Sequence, residues 1–358
     1  MESIIKRCFH LQLKAQISSA FSSTRARARV SRRVLVKVAA VAFVLVLGLS
    51  LSGCATSAVG AGSNGFFGSW GQDLLNFFSD HSSGKKTSAE AFEVPELRLT
   101  SYNDEAAQKG RGCSIDASHA EDGYIMAAAT SENGLKLSMI CNGKSNYFDM
   151  PNNGKPAAFP LLNGNGNYLV RIMENIGGNN YIQLFSLSCT VNLSSDLAPY
   201  LRPNAFCDYN ETSACVALAK QLVANASSQV EAANAIYSWV SKNISYNKTK
   251  AEELTKVTGY LPNPDETLAA KSGICFDYAS LTAAMMRSVG IPTKIVTGYV
   301  TSTGIYHAWN MVYLDGRWVT NSFVIDANQW GRIDTTFAAA GMPGIAADGE
   351  GYEDKFTY

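Results

Sequence analysis

Residues 273–290 read GICFDYASLTAAMMRSVG. Ala279, Ala283 and Met286 form one apolar stripe at helical spacing, and Leu281, Ala284 and Met285 form another. The segment therefore predicts a central helix buried on most sides. Gly290 and Pro292 terminate it. Cys275 falls at the N-terminal end of this helix, where unpaired peptide N–H groups and the helix dipole stabilise a thiolate. That makes Cys275 a candidate nucleophile. On this segment alone a buried structural cysteine accounts for it equally well.

The chain continues with PTKIVTGYV (292–300), which reads as a strand, and then Tyr306-His307-Ala308-Trp309-Asn310-Met311-Val312-Tyr313-Leu314, which reads as another. Asp315-Gly316 signals a tight turn. RWVTNSFVI (317–325) and WGRIDTTF (330–337) follow as further strands, with DANQ turning between them. A cysteine-bearing helix is thus followed by an antiparallel sheet bearing His307. Imidazole can take a thiol proton and later return one to a leaving group. A third polar group has to hold the ring in the right tautomer. Asp326 and Asp334 are the downstream candidates.

These segments, over about residues 212–341, resemble the transglutaminase-like superfamily, whose fold is related to that of papain-like cysteine proteases. GICFDYASLTAAMMRSVGIPTKIVTGY resembles its nucleophile helix and following strand, and HAWNMVYLDGRW its histidine strand. Trp330-Gly331-Arg332-Ile333-Asp334-Thr335-Thr336-Phe337 resembles its aspartate strand, in which a Trp precedes the Asp by four. The resemblance implies Cys275 as nucleophile, His307 as general base and acid, and Asp334 as orienter. One departure stands out: counted from Trp318, the aspartate position of many members is Ser322 here. Residues 319–329 then read as an added hairpin, with Asp326 in its turn. Trp309, Asn310 and Tyr246 are candidate substrate-site residues, each with a packing role as the competing reading. Asp277, in the first helical turn, complements the dipole. The backbone N–H of Cys275 is the first oxyanion donor.

Upstream, residues 93–195 carry short strand-like segments such as GYIMAAAT, KLSMICN and NYLVRIMEN, separated by Asn-Gly, Gly-Lys and Gly-Gly-Asn-Asn. They predict a small antiparallel all-β domain, a sandwich or barrel. Asp116 and His119 within it read as a solvated polar pair. Helical patterns follow at 212–225 and 228–243, the second with Val230, Ala233, Ile236, Tyr237 and Val240 on one face. The expected fold class is α+β: a papain/transglutaminase-like domain over 205–345, its nucleophile helix packed on an antiparallel sheet, preceded by the β-domain, with a C-terminal tail over 346–358.

The net charge of zero over 358 residues hides an asymmetry. Residues 1–53 hold nine Lys/Arg and one acid, leaving 21 basic and 29 acidic groups in the rest. That body lacks the basic footprint a nucleic-acid partner requires. The N-terminal surplus, RARARVSRRVLVK (25–37), precedes the uncharged VAAVAFVLVLGLSL (38–51), the pattern of an export signal. This apolar core is shorter than the roughly 20 residues of a spanning helix. It ends in Leu51-Ser52-Gly53-Cys54, which resembles the lipobox of bacterial lipoproteins. The expected organisation is a signal peptide over 1–53, lipid on Cys54, and a flexible tether over 54–92. That places the body at the outer face of the cell membrane, held by its lipid anchor.

Eight cysteines include Cys8 and Cys54, and none of them shows CxxC spacing. With four scattered histidines, no metal site and no cofactor is expected. Cys113–Cys141 and Cys207–Cys215 are candidate disulfides in an oxidising compartment. The function expected is that of a cell-surface cysteine acyl-transfer enzyme acting on amide bonds of protein or cell-wall peptide substrates through a thioester, with hydrolysis favoured. The alternatives are a cross-linking transglutaminase and a non-catalytic binding module on the same scaffold.

Overall fold

The computed structural model describes residues 92–301, 303–319, 324–342 and 351–358. The signal segment, Cys54, the tether up to residue 91 and Ser322 lie outside the described residues.

The N-terminal part is two four-stranded antiparallel sheets. One has the order β1 (Gln108–Gly110), β2 (Cys113–Asp116), β3 (Tyr124–Ala129), β6 (Ala157–Pro160). The other has the order β5 (Lys144–Met150), β4 (Leu135–Cys141), β7 (Gly166–Asn175), β8 (Tyr181–Val191). β4 and β5 are joined by Asn142-Gly143, both at positive φ (52° and 72°), the two-residue turn that matches strand twist. In β7 Tyr168, Val170 and Ile172 point inward at period two and are buried. Asp116 is not the solvated group its sequence neighbourhood implies. It is buried and accepts from the backbone N–H of Asn103 and Ser118, both at 2.8 Å, because a loop end with free amides needs an internal acceptor.

The C-terminal part carries the helices α1 (Ala214–Val223), α2 (Gln229–Asn243), α3 (Lys248–Leu254), α4 (Pro264–Ala270) and α5 (Cys275–Ser288). Between α2 and α5 run two short paired strands, β9 (Ser245–Tyr246) and β10 (Ser272–Gly273). Next come β11 (Thr293–Val300), β12 (Ile305–Tyr313), the small hairpin β13 (Trp318–Val319) and β14 (Val324–Ile325), and β15 (Trp330–Ile333). Then come α6 (Thr335–Ala339) and β16 (Tyr352–Thr357). The sheet order is β15-β12-β11-β16, all antiparallel. Helix α5 is the hub: residues Asp277–Ser288 are all buried, against α1, α2, α4, β11 and β12. It ends on Gly290 at φ 82°, followed by Pro292.

Three expectations need correction. Residues 352–357 are a sheet edge rather than a tail, because their backbone pairs antiparallel with β11. The close approach requires Gly298, where a Cβ would lie 2.0 Å from the Glu353 carbonyl oxygen. The aspartate segment is a strand only as far as Ile333, because Asp334 caps α6. The six described cysteines are all free thiols, so neither candidate disulfide forms.

One hydrophobic cluster runs through both parts. Packed against it, Tyr358 sets its ring 4.1 Å from Phe206, 5.7 Å from Phe276 and 6.1 Å from Phe148, tilted to each. The residue after Cys275 is thereby packed, through one tyrosine, onto the inner face of β5.

Candidate active site

Cys275 is the first residue of α5, with Ile274 extended before it. The start is fixed by Asp277, whose Oδ2 accepts from the Ile274 backbone N–H at 2.8 Å. Asp277 is fully buried. It pairs with Lys250 Nζ at 2.7 Å, and its Oδ1 accepts from the Tyr260 hydroxyl at 2.5 Å. Burial and the Asp277 bond push the Tyr260 pKa up, so the hydroxyl stays a donor. Gly273 is small for the same reason: a Cβ there would meet the Asp277 Cβ at 2.6 Å. Asp277 thus complements the dipole and also anchors α3 and the following loop to the turn that carries Cys275.

His307 lies on β12, which β15 pairs only over Asn310–Tyr313. Beyond that pairing the chain turns at Asp334 into α6, which brings Phe337 over the His307 ring at 4.4 Å and 16°. The His307 Nε2 meets Asp334 Oδ2 at 2.7 Å. Asp334 is itself immobilised. Its Oδ1 accepts from the Phe337 backbone N–H at 2.9 Å, and its Oδ2 also accepts from the Tyr352 hydroxyl at 3.1 Å. Cys275 also bears on the ring, raising its pKa alongside Asp334. With Nε2 engaged by Asp334, Nδ1 is the ring nitrogen left for proton transfer. The structure thus joins His307 to Asp334 through Nε2 and places Cys275 near enough to act on the same ring. Asp326 is elsewhere, paired with Arg317 at 2.9 Å on the exposed hairpin.

Burial opposes a charged imidazole, but the bonds and charges of Asp334 and Cys275 outweigh it and push the His307 pKa up to about 10. The ring is therefore imidazolium at neutral pH. A raised folded-state value stabilises the fold fully below the ordinary histidine range. That contribution is lost as pH climbs from about 6.5 through about 10. The melting temperature is expected to fall across that window. Asp334→Asn is expected to flatten the fall, and an equal slope in both proteins would contradict this account of the ring.

The three candidate substrate residues occupy different surroundings. Trp309 is 1% exposed, edge-on to Tyr352 at 4.7 Å, so it backs the site from inside. Asn310 is corrected to an internal cross-link. It is fully buried, and its Nδ2 donates to the Ala279 and Lys294 carbonyls at 2.9 and 3.1 Å, tying α5 to β11. Strand alternation places it on the face opposite His307. Tyr246 is 47% exposed, and burial, then Cys275 and Asp277, raise its pKa. Sequence reading missed Tyr306, which is equally exposed and donates to Thr297 Oγ1 at 2.8 Å; burial chiefly raises its pKa, with Tyr299 and Cys275 adding to it. Tyr246 and Tyr306 thus approach the thiol from separate elements. Phe337 and Tyr352 were missed as well. The cap signal Asp-Thr-Thr could have marked the turn that delivers Phe337. Nothing local marks Tyr352. Among the described residues, no three His, Cys, Asp or Glu side chains are placed to hold a metal ion.

Residues 216–322 match the family described as the transglutaminase-like superfamily. The chain carries a transglutaminase-like domain. The kyphoscoliosis peptidase of Mus musculus is 31% identical to this chain over 131 residues, 33% of this chain and 19% of its own. The Homo sapiens protein of the same name is 30% identical over 130 residues, 18% of its length. The chain thus spans about a fifth of the length of these relatives. A solved Cytophaga hutchinsonii protein, described as a candidate cysteine protease, superposes with TM-score 0.34 at 15% identity, covering 66% of this chain and 79% of that one. Red sea bream transglutaminase does so with TM-score 0.28 at 13% identity, over 60% and 48%. The transglutaminase-like match ends before Asp334, so the carboxylate that meets His307 lies outside the matched residues.

Proposed function

We propose that the protein is a cysteine acyl-transfer enzyme that hydrolyses amide bonds of proteins or peptides. The observation that carries this reading is the buried His307–Asp334 pair at 2.7 Å, with Cys275 at the start of α5 acting on the same ring. The Cys275 thiolate attacks the amide carbonyl carbon, and the carbonyl oxygen takes the negative charge near the Cys275 backbone N–H. The imidazolium then gives its Nδ1 proton to the amine as the C–N bond breaks, leaving a thioester and a neutral ring. Water attacks the thioester, the ring takes its proton, and the acid is released as the thiolate reforms.

Hydrolysis is favoured over amine transfer because Cys275 is only half-buried and the tyrosines beside it are exposed, so solvent has a path to the thioester. The peptidase name of the 31%-identical relative points the same way. The proposed setting is the outer face of the cell membrane. There a signal peptide removed before Cys54 leaves a lipid anchor and tether, and the substrates are protein or cell-wall peptides.

Incubation with a test protein and a fluorescent primary amine separates the two chemistries. Cleavage without amine incorporation is expected. Incorporation outrunning cleavage would make the protein a transglutaminase instead.

A further inference from the structure

We propose that Tyr352 is a positioning residue for acyl transfer: its hydroxyl shares the Asp334 oxygen that His307 uses, and draws charge off that carboxylate so that the imidazolium can release its proton to the leaving amine. This rests on the acyl-transfer reading above. Tyr352 stands at the start of β16, well beyond the residues matched to the transglutaminase-like family. It reaches the site because β16 lies against Gly298, the register partner of His307 across β11 and β12.

Asp334 accepts three donors, two of them on one oxygen: His307 at 2.7 Å and Tyr352 at 3.1 Å. A carboxylate serving one donor fully has less charge for a second. The need for such sharing is chemical. An imidazolium held too firmly by its partner is a weak acid, and expulsion of an amine requires that proton. The hydroxyl is itself made a better donor. The Arg332 guanidinium of β15 lies 4.2 Å from the Tyr352 ring and 5.5 Å from the Trp309 ring, and a cation on the ring face polarises the O–H bond.

Other described groups face this centre from each packed element. Cys275 comes from α5. Tyr237 comes from α2, its pKa pushed up to about 12 by burial and then by Asp334. Asp354 of β16 lies 3.8 Å from Arg332 and offsets part of its charge. The neutral rings of Phe337 and Trp309 close the remaining sides.

Tyr352→Phe keeps the ring packing and removes the hydroxyl alone. Two readouts in the full chain test the proposal. One is titration of the His307 imidazole by nitrogen-15 NMR. The other is the ratio of rates on an amide and on an activated ester with the same acyl group, since the ester leaves without a proton. In Tyr352→Phe the imidazole midpoint is expected to rise by about half a unit to one unit. The amide rate is expected to fall roughly threefold to tenfold, with the ester rate and KM little changed. A midpoint that stays or falls, or amide and ester rates that drop together, would leave Tyr352 a packing residue and overturn the proposal. If the parent protein turns over neither substrate, the acyl-transfer reading fails on its own account. The titration would still decide whether Tyr352 tempers the ring.

Discussion

His307→Ala is expected to remove rapid alkylation of Cys275 at neutral pH and to lower amide turnover by about a thousandfold or more. The size follows from what the ring does in the structure. With its pKa pushed up to about 10, His307 carries a proton at neutral pH, and in the proposed reaction it gives that proton to the leaving amine. Without it, both functions fall to water. Cys275→Ala loses the nucleophile itself, and the double variant is expected to be no worse than either single one, because the residues act as a unit. His307→Gln separates chemistry from folding, since an amide can still donate to the Asp334 carboxylate. It is expected to be as inactive as the alanine variant with a smaller loss of melting temperature. The measurement is the second-order rate of a thiol-directed reagent on each protein. Equal rates for parent and His307→Ala would mean that the ring does not activate Cys275, and the binding-module reading would replace the enzymatic one.

How far the chain could be read in advance varies with the range of the forces involved. Helix α5 was legible because its composition is decisive: two apolar stripes, Gly290 and Pro292 leave few other arrangements. The strands β11 and β12 were legible for a similar local reason, the period-two pattern between turn signals. Asp334 became readable through motif spacing, whereas α6 did not, because the cap signal competes with strand-forming Ile333, Thr335 and Thr336. Asn310 stayed open between two readings because an asparagine three residues after a candidate catalytic histidine is compatible with either face of the sheet. Its burial depends on α5 packing against that face. Tyr352 and β16 were illegible for a physical reason. A strand of YEDKFT sets two aromatics around three consecutive charges, and what holds it is the edge of β11, built from residues some 55 positions earlier.

The site therefore depends on contacts that join distant segments, and Arg287 makes four of them. It is 1% exposed, in the last turn of α5. Its Nε donates to the Thr293 carbonyl at 2.8 Å, Nη1 to the Arg202 carbonyl at 2.9 Å and the Cys207 sulfur at 3.1 Å, and Nη2 to the Tyr358 carbonyl at 3.0 Å. Replacing a buried ion by a well-packed apolar residue is often neutral, because the desolvation cost goes with the charge. Here the opposite is expected, since three of the four acceptors are backbone carbonyls that remain when the arginine is gone. Arg287→Met strands two of them outright and leaves Tyr358 to the Ile295 N–H alone. At about 1–3 kcal/mol for each stranded group, the loss is roughly 3–5 kcal/mol, or about 10 °C in melting temperature for a chain of this size. Arg287→Lys, which retains the charge but cannot span all four acceptors, is expected to fall between. Because Tyr358 ends the strand that presents Tyr352, the methionine variant is also expected to lose turnover at temperatures where it is still folded. A melting temperature within about 2 °C of the parent would show that the carbonyls find other donors, and that Arg287 does not hold this edge of the site in place.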